Sequence, residues 1–170
     1  MIGRPHQNEF ERFVRESSSR LTRTAFMLCG DRGAAEDIVQ VALTRTARRW
    51  RVARTNPEAY TRRVVVNLVR DRWRDLARRP SEVLVDVLGE PDTAVPEEPD
   101  SPRLDRLAEA VEQLSFEQRS VVVLRYVEGL SIEETASALR CTSAAVKSRA
   151  HRGLASLRSL LDQDQSVINK

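Results

Sequence analysis

A chain of 170 residues, 31% charged and 41% hydrophobic, has room for one ordinary domain or two small ones. It contains no apolar run of ~18 residues and no apolar signal-peptide core in Met1–Phe10, so nothing in it is expected to span a membrane, and the cytoplasm is its expected place. Net charge is only +3; Cys29 and Cys141 have no CxxC partner, and His6 and His151 stand outside metal-ligand spacing, which argues against a zinc site or a disulfide framework and leaves no cofactor to expect.

In chain order, the pattern is helical throughout, with no sustained period-2 alternation. Phe10, Phe13, Val14 and Leu21 recur near helical spacing, and Gly30 and Gly33 break the chain around Asp31. A second helix is predicted from about Ala34 to Trp50, with Ile38, Val41 and Ala42 inward. A third starts at Asn56-Pro57, where Asn caps and Pro is tolerated at the first position. It runs to about Leu76 on a buried stripe of Tyr60, Val64 and Leu68.

Residues 80–102 hold five of the seven prolines, and residues 81–102 hold seven acids and no base. Such a segment cannot carry a long helix and reads as a linker, although Val83–Val85 with Val87-Leu88 could dock somewhere. Beyond it, Leu104, Leu107, Ala108, Val111 and Leu114 give a helical stripe. Ser115 with Gln118 forms a capping box for a helix through Val122 to Val127, and Gly129 fits its C′ position. Ser131 with Glu134 forms a second box for a short helix, Ile132–Leu139, with Ala136 on its inner side. After a turn at Arg140-Cys141, Thr142 or Ser143 caps a last helix with Val146, Ala150, Leu154 and Leu157 inward. The expected fold is therefore all-α, two small helical domains at 7–79 and 103–162 joined by the acidic Pro-rich linker at 80–102.

Three surfaces stand out. A helix, a tight turn and a second helix, with a small residue in the first, is the helix-turn-helix plan. Its last helix offers Lys147, Ser148, His151 and Arg152, with Arg149 alongside, to a major groove; the bland alternative is a helical hairpin with a basic surface. The third helix aligns Arg63, Asn67, Arg70 and Arg74 on one face, with Tyr60 and Trp73 nearby. That face suits a partly opened DNA strand, because arginine grips phosphate, aromatics stack and polar groups read base edges. A solvated basic face over an aromatic core accounts for the same pattern. Glu36, Asp37 and Gln40 make an acidic-polar stripe on the second helix, fit for docking a protein or simply for facing water.

In this order, the pieces resemble the extracytoplasmic-function (ECF) sigma factors of the sigma-70 family. Ala35–Gln40 looks like the family's polymerase-binding motif, Pro57–Arg74 like its −10 reading helix, and Leu114–Leu157 like its −35 reading helix-turn-helix. The resemblance implies a protein that binds core RNA polymerase and directs promoter-specific initiation, not an enzyme and with no catalytic or metal residues. Glu36, Asp37 and Gln40 would meet the β′ clamp helices, Arg63, Asn67, Arg70 and Arg74 the −10 strand, and Lys147, Ser148, Arg149, His151 and Arg152 the −35 duplex. The β flap and an anti-sigma factor are further partners implied, and the linker would thread the polymerase cleft. Val41-Ala42-Leu43 depart from the family's usual acid and aromatic pair after Gln40, and Val52–Asn56 matches no promoter-reading pattern. A stand-alone helix-turn-helix regulator is the alternative.

Overall fold

In the computed structural model, which describes residues 4–78, 107 and 109–168, every element is helical. The first half forms α1 (Arg4–Cys29), α2 (Arg32–Arg48), the single turn α3 (Trp50–Ala53) and α4 (Pro57–Arg78). The second half forms α5 (Phe116–Val122), which widens into a π turn at Val123–Val127, then α6 (Ile132–Leu139) and α7 (Ser143–Ile168). The linker, and Leu104 and Ala108 of the predicted stripe, lie outside the described residues.

Helices α1, α2 and α4 pack against one another around Leu21, Leu28, Ile38, Val39, Val65 and Val69. Local chemistry sets the boundaries. Gly30, at φ +75°, closes α1, and its N–H donates to the Phe26 carbonyl at 2.7 Å. Asp31 then caps α2, accepting from Ala34 N–H at 2.9 Å. Asn56 accepts from Ala59 N–H at 3.1 Å at the start of α4, as its sequence implies. Inside the bundle the hydroxyls of Thr46 and Thr61, both fully buried, meet at 2.9 Å and join α2 to α4.

Three sequence expectations shift. The second helix stops at Arg48, because Arg49 (φ −111°, ψ 20°) leaves helical geometry and sets Trp50 beside Phe10 and Phe13, at ring separations of 5.1 and 5.9 Å. Val41 is exposed and Val39 takes the inward place. The fully buried stripe of α4 is Thr61, Val65, Val66 and Val69, with Val64 and Leu68 only half-buried and Tyr60 on the small Phe13–Trp50 cluster. Helix α4 is covered from two sides, by α1 and α2 and by α5 and α6, so a one-sided amphipathic reading misplaces its stripe.

The C-terminal half is a helix-turn-helix. Ser131 and Glu134 form a reciprocal capping box, while Ser115 accepts one bond from Gln118 N–H at 3.4 Å. The Ser131 N–H, and then its hydroxyl, hold the Glu134 carboxyl below its ordinary pKa. Gly129 sits at φ +69° after the π turn, and Leu130 N–H reaches back to the Leu124 carbonyl at 3.0 Å. Arg140 takes the same left-handed conformation at the turn, and Thr142 caps α7 through Ala145 N–H at 3.1 Å.

The inner stripe of α7 corrects one more expectation. Leu154 is 39% exposed, and its neighbour Gly153 is buried instead. A Cβ on Gly153 would lie 2.8 Å from Val122 Cγ2, so the absent side chain is what lets α7 meet α5. Gly153→Ala gains helix propensity but must displace a stiff, buried β-branched residue. We expect it to destabilise the C-terminal half by about 1–3 kcal/mol, read from urea unfolding.

Candidate polymerase and nucleic-acid interfaces

The three surfaces predicted from sequence fall on three helices. Glu36, Asp37 and Gln40 are exposed on α2, opposite Ala35, Ile38, Val39 and Ala42, which are buried. On α7, Lys147, Ser148, His151 and Arg152 are exposed together, one helical turn apart in pairs. Arg149 leaves that group. Its guanidinium lies 3.0 Å from Glu117 of α5, half-turned into the molecule.

The α4 face is where the structure adds most. The two halves of the chain pack against each other, and α6 lies along α4. Arg63 donates to the Ser137 hydroxyl at 2.8 Å and Arg70 to the Leu139 carbonyl at 3.1 Å, so two of the four candidate strand-reading residues are engaged by the helix-turn-helix. Arg70 also lies over the Phe116 ring at 5.8 Å. Asn67 is half-buried and Arg74 exposed. Arg70, Arg74 and Arg149, from the two halves, line one cleft of about 350 Å³ together with Trp73 and Arg140.

Two buried charges organise this contact. At one end Arg119 of α5 donates to the Leu28 carbonyl at 3.2 Å and to the Glu112 carbonyl, and it stacks over Trp73 at 4.8 Å. Trp73 Nε1 donates to the same Leu28 carbonyl at 3.3 Å, which satisfies an acceptor in the last turn of α1. Burial pushes the Arg119 guanidinium below its ordinary pKa. At the other end, the Glu128 carboxylate has a side chain only 3% exposed, 3.6 Å from Arg62 and 3.8 Å from Arg20, and it accepts from the Thr24 hydroxyl. Glu58, 2.6 Å from Arg20, completes the network.

Sequence reasoning passed over Arg62, Arg119 and Glu128. A signal for the arginines existed. Arg62 continues the Val65, Val66, Val69 stripe and Arg119 the Phe116, Val122, Val123 stripe, and a charge on an apolar stripe needs a buried partner. Glu128 gave none, because the π turn rotates the helix end by about 100° relative to an α continuation.

A small helical bundle beside a helix-turn-helix with a free basic recognition helix defines a sequence-specific DNA-binding protein. The Sigma-70 region 2 family model matches residues 13–79 and the Sigma-70 region 4 model matches 104–157. The chain is 41% identical over 158 residues to the RNA polymerase sigma-E factor of Streptomyces avermitilis, covering 91% of this chain and 86% of that one. It is 33% identical over 153 residues to the ECF RNA polymerase sigma factor SigL of Mycobacterium tuberculosis, covering 87% and 86%. Among solved structures it is similar, at TM-score 0.72 and 25% identity over 91% of this chain and 97% of that one, to the sigma factor RpoE of Bartonella quintana in complex with the anti-sigma factor NepR. The chain belongs to the sigma-70 family and is a sigma factor of the extracytoplasmic-function type. Proteins of this family bind core RNA polymerase and direct promoter-specific initiation, and they are not enzymes in the catalytic sense. No helix among the described residues is long and apolar enough to cross a membrane.

Proposed function

We propose that this sigma factor divides its work among the three helices. The domain boundaries would be 7–79 and 103–162, with 80–102 as the connecting linker. Glu36, Asp37 and Gln40 of α2 dock on the β′ clamp helices. Arg63, Asn67, Arg70 and Arg74 of α4 capture the −10 strand, the arginines on phosphate and Asn67 on a base edge. Lys147, Ser148, His151 and Arg152 of α7 enter the −35 major groove, with region 4 seated on the β flap. Arg149 joins them by exchanging Glu117 for a backbone phosphate. The protein works in the cytoplasm, performs no chemistry of its own and is held by an anti-sigma factor, as the Bartonella relative is by NepR.

The observation that carries this reading is the separation of surfaces. An acidic stripe on α2 is exposed on the bundle, while the helix-turn-helix presents a basic one on α7. A stand-alone regulator needs only the second. Asp37→Arg changes an exposed residue and leaves the core of α2 intact. It is expected to keep the helical circular dichroism signal and to lower core-polymerase binding by roughly tenfold or more in a pull-down, because a misplaced charge is desolvated at the interface. Normal binding by the folded variant would place the polymerase contact elsewhere.

A further inference from the structure

By their names the −10 and −35 elements mark positions about 25 base pairs apart, which is about 85 Å of B-DNA at about 3.4 Å per pair. Arg74 of α4 and Arg149 of α7 nevertheless line the same cleft, and α6 occupies Arg63 and Arg70. The packed arrangement cannot place both readers on one promoter. It is a closed state, and the two regions must part before both bind.

We infer that Glu128 is the latch of this closed state. It belongs to region 4, yet its carboxylate is enclosed by region 2 groups, Arg62 and Arg20 at 3.6 and 3.8 Å and the Thr24 hydroxyl. The π turn at Val123–Val127 aims it there, and Gly129 directly after it frees the chain to turn back into the helix-turn-helix. Charge matters here in a way that apolar packing does not. A buried ion pair gives little net stability against water, but losing one partner leaves the other charge buried and uncompensated, which is strongly unfavourable. A contact built on such a pair is specific when shut and easily exchanged for water once open. At the opposite end of the interface Arg119 is buried against Trp73 and the Leu28 carbonyl, a second charge that regains water when the regions part. In the closed state Arg70 is half-buried against the Leu139 carbonyl and Arg63, though exposed, is tied to the Ser137 hydroxyl, so an opened strand must displace both contacts and the latch sets how readily the free protein engages it. This last step rests on the assignment of α4 as the strand-reading helix.

The test uses the full chain without polymerase. Glu128→Gln removes the carboxylate and leaves Arg62 buried without it, while Arg20→Gln removes one of its two cationic partners from the other region; Arg20 is partly exposed, so at least one variant spares the core. Small-angle scattering reads the separation of the regions, and fluorescence anisotropy reads binding of a short mixed-sequence single-stranded DNA. Both variants are expected to show a larger radius of gyration and strand binding tightened roughly 5- to 150-fold. Variants as compact as the wild-type chain would overturn the latch, and an opened variant with unchanged strand affinity would overturn the masking. Adding Arg63→Ala and Arg70→Ala to Glu128→Gln is expected to abolish the gain. An opened variant that keeps its gain without those arginines would instead overturn the strand-reading role of α4 and leave the latch standing.

Discussion

The double variant Lys147→Ala/Arg152→Ala is expected to weaken holoenzyme binding to a promoter duplex by about 2–6 kcal/mol, the sum of two base contacts of about 1–3 kcal/mol each. Both side chains are exposed on α7, and neither supports the hydrophobic contacts of Val146, Gly153 and Leu157 that fix the helix. The loss is therefore one of recognition and not of folding. Binding to promoters randomised at the −35 element tells which. The wild-type protein should discriminate among them and the double variant should not, while both keep the same −10 preference. A double variant that still ranks −35 sequences as the wild type does would move the reader off this face.

The second large effect belongs to α4. Arg63→Ala/Arg70→Ala should lower affinity for the opened −10 strand uniformly across sequences, since phosphate contacts carry no sequence information. Each lost contact on a single strand should also reduce the slope of log affinity against log salt by about 0.7. Asn67→Ala, on the same face, should behave differently. It should alter which −10 sequences are preferred and leave the salt slope alone. Titrating each holoenzyme on a fork-junction template across salt concentrations separates the two. An unchanged slope in the arginine variant would mean that Arg63 and Arg70 serve only the contact with Ser137 and Leu139.

The two kinds of surface were unequally legible in the sequence. Capping residues announce helix starts wherever they are local: Asn56 and Ser131 cap as their sequence implies, and Thr142 takes the cap that the sequence left open between it and Ser143. The helix-turn-helix was readable because its signals, Ser131 with Glu134, Gly129 and Ala136, lie within one short stretch. What escaped is what depends on a distant partner. The α4 stripe is displaced because a second region covers the helix, and within residues 57–78 only Arg62, a charge on an apolar stripe, hints at that cover. Leu154 loses its inward place to Gly153 because Val122, thirty-odd residues earlier, leaves no room for anything larger. The Arg49 break could be inferred only by knowing that Trp50 has Phe10 and Phe13 to join. The roles of Arg62, Arg119 and Glu128 depend on how the two regions meet, a relation that helical periodicity does not encode.

The central claim is that one chain carries a polymerase-docking region and a promoter-reading region that act together. Run-off transcription on a library of genomic promoter fragments, with core polymerase and no anti-sigma factor, tests it most directly. Core supplemented with the purified protein is expected to start at a defined set of promoters sharing −10 and −35 elements, and Asp37→Arg to abolish those starts. Transcripts no more specific than those of core alone would contradict the account.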